Sequence, residues 1–331
     1  MKKFLFAFLI VGVCCFAEKA KPFRILAFDG GGVRGAYTAQ LLAMVEEETG
    51  FLKKVDCFAG TSTGSIIAYG LAYGLKPKEI VDLYLLHADK IFEPYSEDES
   101  LAITFLPKYT NTQFKKALQA VIPKEVTLGD LKKKVIATSF QLHNPDQNCW
   151  KPICFDNFVL NESSKLSIVD AVLRGSAVPI LFPSYQGYVD GAVVSNNPSM
   201  VALSRSIDQK GGNKDLKNIF MISFGTGRNH HFISDDVKWG VTEWVLDPSP
   251  LYPLPPNPLI ALVMDGTSAM VHEQCSQILG KRYLRIDPFL EKNIVLDDWK
   301  SVGELVEEAK KLPETDPEAW EDLLDWVRKN F

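Results

Sequence analysis

The chain has 331 residues, 46% of them hydrophobic and 23% charged, with a formal net charge of −5. That is the make-up of an ordinary globular protein, with room for one large α/β domain or two small ones. The acidic balance and the lack of a basic cluster with interleaved aromatics argue against a nucleic-acid partner.

The N-terminal stretch reads as a leader. Lys2 and Lys3 precede an apolar run from Phe4 to Phe16, and Ala17 offers a small residue before a cleavage point. This pattern predicts a secretory signal peptide over residues 1–17. The run is short for a membrane span, which needs about 20 residues. The expectation is an exported protein, periplasmic or secreted, with membrane association as an option. Lipid attachment at Cys14 or Cys15 fits poorly, because Val13 is not the small residue such a signal wants. Cys57, Cys149, Cys154 and Cys275 show no Cys-x-x-Cys or Cys/His zinc spacing. No metal and no cofactor are expected, and whether these four form disulfides stays open.

After the leader, Phe23 to Phe28 is a short apolar run suited to a buried strand. It runs into Asp29-Gly30-Gly31-Gly32-Val33-Arg34-Gly35, and a helical pattern follows from Ala36 to Glu48. Three consecutive glycines suit a loop whose N–H groups face an open space at a helix N-terminus, a nest for an anion. Gly30-x-Gly32-x-x-Gly35 also matches the dinucleotide fingerprint. That nucleotide-binding alternative wants an acidic residue at the end of the next strand. Asp56 lies before the next apolar stretch instead of after it.

That next stretch leads into Gly60-Thr61-Ser62-Thr63-Gly64 and at once into a helical pattern. Strand, sharp turn and helix around Gly-x-Ser-x-Gly is the setting of a nucleophilic serine. Ser62 is the candidate nucleophile. The glycine loop is the candidate oxyanion hole, with N–H groups from Gly30, Gly31, Gly32 and Val33. Arg34 either orients the loop or an anionic headgroup, or is an ordinary surface arginine.

Helices are expected over 77–89 and 111–121, and strands over 135–140 and 149–155. Pro152 puts the second of these strands at a sheet edge. Ser167 is the N-cap of a helix over 168–174. Asp190-Gly191-Ala192 follows an apolar run, where turn chemistry would by itself explain an aspartate. Asp190 gains weight because Ser62 needs a base and the histidines are poorly placed. Further on come a helix over 198–207, a buried strand over 218–224, a long helix over 259–279, a strand over 282–287 and an amphipathic helix over 320–327. Residues 239–258 hold two tryptophans and six prolines, the signature of a lid or of a packed crossing. The alternation of strands and helices predicts a largely parallel α/β sheet in one domain.

Asp29 to Gly35, Gly60 to Gly64 and Asp190 to Ala192, in that order, resemble the three motifs of the patatin-like phospholipases. The resemblance spans about residues 23–200, and the stretch from Gln274 to Pro288 is similar to the tail of many bacterial members. It implies a single α/β domain over 23–331, with a mostly parallel central sheet flanked by helices. It implies a Ser62–Asp190 dyad, an oxyanion loop over Gly30 to Gly35, and hydrolysis of phospholipid or other acyl-lipid esters without an obligatory metal. Transient contact with a membrane surface follows from such a substrate, and a host activator is a partner the resemblance leaves open. The rivals are a Ser-Asp-His triad esterase, a nucleotide-binding protein, and a non-catalytic lipid binder.

Overall fold

Apolar runs set the sheet. The structure, a computed structural model, describes residues 21–95, 106–246 and 257–331. The expected leader and most of the proline-rich stretch lie outside these residues. Strand β1 (Phe23–Phe28) is buried on both faces, with Ile25 and Ala27 in one core and Leu26 and Phe28 in the other. A strand covered on both sides reads as a near-continuous apolar run.

A 3₁₀ turn over Gly32–Arg34 leads into α1 (Gly35–Thr49). Next come β2 (Cys57–Gly60), α2 (Thr63–Tyr73), α3 (Pro77–Ile91) and α4 (Asn111–Val121). Then follow β3 (Lys134–Asn144), β4 (Cys149–Asp156) and α5 (Ile168–Gly175). Ser167 caps α5 as expected, its hydroxyl accepting the Asp170 N–H at 3.1 Å. The chain continues through β5 (Tyr188–Asp190), the short α6 (Ala192–Ser195), α7 (Ser199–Ile207) and β6 (Ile219–Phe224). It closes with α8 (Pro258–Leu279), β7 (Tyr283–Ile286), α9 (Val302–Thr315) and α10 (Pro317–Asn330).

The strands run in the order β4-β3-β2-β1-β6-β7, with β5 paired to β3 off this path. From β3 to β7 every neighbour in that order is parallel, while β4 and β5 lie antiparallel to β3. Pro152 sits on β4, the edge strand, where its missing N–H is harmless. Helices α7 and α8 cover one face through Ala202, Leu203, Cys275 and Leu279. Helices α1, α2, α9 and α10 cover the other. Among the described residues no helix is long and apolar enough to cross a membrane.

Two features of this sheet bring distant segments together. The parallel strands β2, β1, β6 and β7 all end at one edge, so the segments after Gly60, Phe28, Phe224 and Ile286 converge there. Ligands of open α/β sheets bind at that edge. The register of β3 supplies the second. Gly60 at the tip of β2 pairs with Ala137, and Asp190 on β5 pairs with Ser139. Because β4 holds the opposite side of β3, β5 continues the line of β2 beyond its tip. Asp190 therefore arrives about two residues past the end of β2, where the chain has turned toward Ser62.

Candidate active site

The turn after β2 is tight and strained. Ser62 has φ 52° and ψ −123°, a conformation side chains other than glycine rarely adopt. Its two flanking glycines are required by space. A Cβ on Gly60 would stand 2.2 Å from the Gly64 carbonyl oxygen, and one on Gly64 would stand 2.1 Å from that of Phe28. The bend is held by the Thr61 N–H on Phe28 O at 3.1 Å and by Gly64 N–H on Thr61 O at 2.7 Å. The N-terminus of α2 begins directly behind the Ser62 hydroxyl, so its dipole favours negative charge there.

Thr61, a residue that carries no motif signal of its own, ties the serine turn to the aspartate segment. Its Oγ1 donates to Ser195 O at 2.7 Å and meets the Thr138 hydroxyl at 2.7 Å. Ser195 closes α6, which begins two residues after Asp190. One hydroxyl thus fixes the segment after Asp190 against the segment before Ser62.

Asp190 is fully buried. Its Oδ1 accepts the Ala192 N–H at 2.8 Å, the turn chemistry expected of an aspartate before glycine. Among the described residues its Oδ2 has no hydrogen-bond partner, and the Ser62 hydroxyl is the one side-chain group acting on the carboxylate as a donor. Burial raises its pKa to about 7, against the lowering pull of the Ser62 hydroxyl and the Ala192 N–H. Gly191 is packed against β3, where a Cβ would stand 2.2 Å from Thr138 Oγ1.

The glycine loop lies against this pair: a Cβ on Gly30 would stand 3.3 Å from Ser62 Cβ. The expected set of four N–H donors narrows here. Gly30 N–H is already donated to Asn196 O at 3.1 Å and Val33 N–H to Leu296 O at 2.8 Å. An N–H held by a protein carbonyl is not free for an oxyanion. Gly31 and Gly32 have no such acceptor among the described residues. Gly32, with φ +57°, also has no room for a side chain, since a Cβ would stand 2.0 Å from Leu296 O. Gly35 is excluded from bearing one by Thr63 Oγ1 and the Tyr84 hydroxyl.

Arg34 is no ordinary surface arginine. Its Nη1 donates to Gly227 O at 3.1 Å, its buried Nε has no partner among the described residues, and burial pulls its pKa down. The five histidines of the chain all lie among the described residues, and none bonds to Ser62 or Asp190. His230 stacks on Phe289 and His272 packs beside Tyr283, while His231 Nδ1 lies 3.8 Å from Asp265. The triad alternative therefore lacks its third member. Asp56 accepts the Arg24 N–H at 2.9 Å, at the opposite end of the strands from the glycine loop, so the nucleotide alternative lacks its ribose contact. Among the described residues no group of three or more His, Cys, Asp or Glu is arranged to hold a metal ion.

Two cavities flank the loop. One, of about 510 Å³ counting the solvent at its mouth, is lined by Ser62, Ile66, Phe92, Phe114, Leu181 and Phe182 among others. It suits an alkyl chain. The second, of about 1100 Å³ on the same measure, is lined by Asp29, Arg34, Asn196, Arg228, Asp265, His272 and Arg285 among others, and suits polar groups.

Similarity to known proteins decides the family. The patatin-like phospholipase family matches residues 26–203, more than half of the chain. This chain belongs to that family. Among relatives, the protein teg of Priestia megaterium is 30% identical over 287 residues, covering 80% of this chain and 87% of that one. Patatin-like protein 1 of Arabidopsis thaliana is 28% identical over 313 residues, covering 80% and 73%. The crystal structure of VipD from Legionella pneumophila aligns with TM-score 0.39 at 13% identity, covering 87% of this chain and 67% of that one. The family matched is one of lipid hydrolases.

Proposed function

We propose that this patatin-like protein hydrolyses acyl esters of phospholipids with Ser62 as nucleophile and Asp190 as its base. The observation that carries the reading is a fully buried carboxylate whose one side-chain donor among the described residues is the hydroxyl of a strained serine, with no cation among those residues beside it. A carboxylate of ordinary pKa is a weak base at neutral pH, and one raised to about 7 is matched to the task.

In this mechanism Ser62 Oγ attacks the ester carbonyl carbon as its proton passes to Asp190 Oδ2. The carbonyl electron pair moves onto oxygen, where the Gly31 and Gly32 N–H groups receive it. A single such donor is typically worth about 3 kcal/mol in the barrier. When the C–O bond to the alcohol breaks, Asp190 returns the proton to the leaving oxygen, and the acyl group remains on Ser62. Water then attacks the acyl-enzyme with Asp190 again as base, releasing the fatty acid and restoring Ser62. The apolar cavity receives the acyl chain, and Arg34 faces the polar side where a phosphate group would lie. The leader pattern over residues 1–17 supports export, to a periplasm or out of the cell, with membrane association as an option.

The test is a mixed panel of phospholipids and lysophospholipids incubated with wild type and with Ser62→Ala. Fatty acid release by the wild type, and a fall of about 10⁴-fold or more in the variant, is expected. Equal release by both sinks the proposal.

A further inference from the structure

The glycine loop is gripped by a part of the chain that lies outside the family match. Arg285 stands on β7, flanked by the half-buried Leu284 and Ile286. Its Nη1 donates to Asp29 Oδ1 at 2.9 Å and its Nη2 to Asp29 Oδ2 at 2.6 Å, so the fork engages both carboxylate oxygens. Nη2 also reaches Asp287 Oδ2 at 2.8 Å, and Nη1 the Ser223 hydroxyl at 2.7 Å.

From there the bonds run into the loop. Asp287 Oδ1 accepts the Gly227 N–H at 3.2 Å, and Gly227 O accepts from Arg34. The Thr226 hydroxyl donates to Gly30 O at 3.2 Å. Asp29, Gly30 and Arg34, on either side of Gly31 and Gly32, are all held by the segment Ser223–Gly227 and by Arg285. The pair is nearly closed to water, with side chains 10% exposed for Arg285 and 3% for Asp29. Burial raises Asp29 to about 6 against the lowering pull of Arg285. For Arg285 burial works downward, and the carboxylates of Asp29 and Asp287 outweigh it, so its pKa rises.

A buried ion pair is weak evidence for stability, since apolar packing of the same volume often does as well. What a forked guanidinium supplies is direction, because two parallel bonds fix a carboxylate in plane and angle. The two N–H groups left without an acceptor immediately follow the residues so fixed.

We propose that Arg285 is a positioning residue for the hydrolysis, holding Asp29 and the Gly30–Gly32 backbone so that the Gly31 and Gly32 N–H groups face the oxyanion formed at Ser62. This rests on the Ser62 reading of the reaction. Arg285 acts through Asp29 and touches neither the reacting atoms nor the acyl chain.

The experiment uses the full chain and a soluble short-chain ester. The rates of the wild type and the Asp29 and Arg285 variants are normalised to active sites titrated by a fluorophosphonate, and the Ser62→Ala rate is normalised to protein concentration. The variants are Ser62→Ala, Arg285→Lys, Arg285→Gln and the double variant Asp29→Asn/Arg285→Gln. Arg285→Gln is expected to lower kcat about 100-fold with KM within about twofold, the signature of a misaligned donor. Arg285→Lys falls between, because a single ammonium cannot hold both oxygens as a fork does. The double variant recovers about tenfold of the loss, since amide and amide can bond in place of the Asp29 ion pair, and of the two carboxylates Arg285 served only Asp287 is left without its cation.

An unchanged kcat per active site in Arg285→Gln overturns the proposal. So does a loss carried by KM alone, which would make the arginine a substrate-binding contact instead of a positioning residue. If Arg285→Gln does not fold, an unchanged kcat in Arg285→Lys has the same force. Full activity in Ser62→Ala is a separate outcome: it removes the hydrolase reading itself, and the proposal with it.

Discussion

Asp190 and Asp29 are both buried carboxylates at strand ends beside Ser62, and the protein keeps them in opposite ways. Asp29 has a guanidinium across both oxygens and a second carboxylate sharing it. Asp190 has a backbone N–H on one oxygen and, among the described residues, the Ser62 hydroxyl as its one side-chain donor and no cation. Burial raises both, Asp29 to about 6 and Asp190 to about 7. Arg285 favours the ionised form of Asp29, and that carboxylate is spent on geometry. Asp190 has no such cation among the described residues, and burial moves it toward neutral pH, which suits the base role proposed for it. The same contrast runs through the cavities, apolar on the Ser62 side and charged on the Asp29 side.

The largest effect that would break this comparison is expected at Asp190. Asp190→Asn keeps the shape and removes the base, and turnover should fall by about 10³-fold or more. Asp29→Asn keeps a hydrogen-bonding group beside Arg285 and should fall far less. Comparable losses at the two sites, measured as kcat on one ester, would mean that the distinction between base and anchor is wrong.

Stability should sharpen the same contrast. An unfolded aspartate titrates near 3.9, and Asp190 in the fold near 7. Below about pH 4 the carboxyl is neutral in both states. Between these values the folded form alone keeps the proton, so the stabilisation present at low pH is lost as pH rises through 7. Asp190→Asn never carries the buried charge. It should match the wild type near pH 4 and exceed it by up to about 4 kcal/mol at pH 8 in denaturant unfolding. For the active enzyme the same titration gives kcat/KM an acidic limb near pH 7, rising with pH as Asp190 loses its proton. An inactive variant that is no more stable at pH 8 would mean that the wild-type carboxylate finds a partner after all.

Much of this is legible in the chain. The strands β1 and β6 are apolar runs whose period and length leave little choice, and the serine turn carries its own glycines. The pairing of β5 with β3 is not legible, because three residues are too few to show a period. Nor does the chain reveal which glycine-loop amides are free. That depends on Asn196 O and Leu296 O, supplied from far along the chain. Helix α9 is hidden because Pro313, inside its last turn, reads as a break. Arg285 does leave a signal. An arginine alternating with Tyr283 and Asp287 in an otherwise apolar strand is rarely buried without a carboxylate to meet it.

The smallest effect tests the apolar side of the comparison. Ile66 lies on the first turn of α2, just after the serine turn, and both Ile66 and Ser62 line the apolar cavity. Its side chain lines the apolar cavity with Phe92, Phe114 and Phe182. Ile66→Phe fills part of that space without touching Ser62, Asp190 or the glycine loop. If the acyl chain lies there, esters long enough to reach the new ring lose contact and shorter ones do not. Two or three methylenes are worth about 1–3 kcal/mol in such a slot. The ratio of kcat/KM for long over short acyl esters should therefore drop roughly tenfold, with the short-chain rate nearly kept. An unchanged ratio would put the chain elsewhere, and the charged cavity beside Arg34 would lose its claim to the headgroup at the same time, because the two cavities take opposite ends of one substrate.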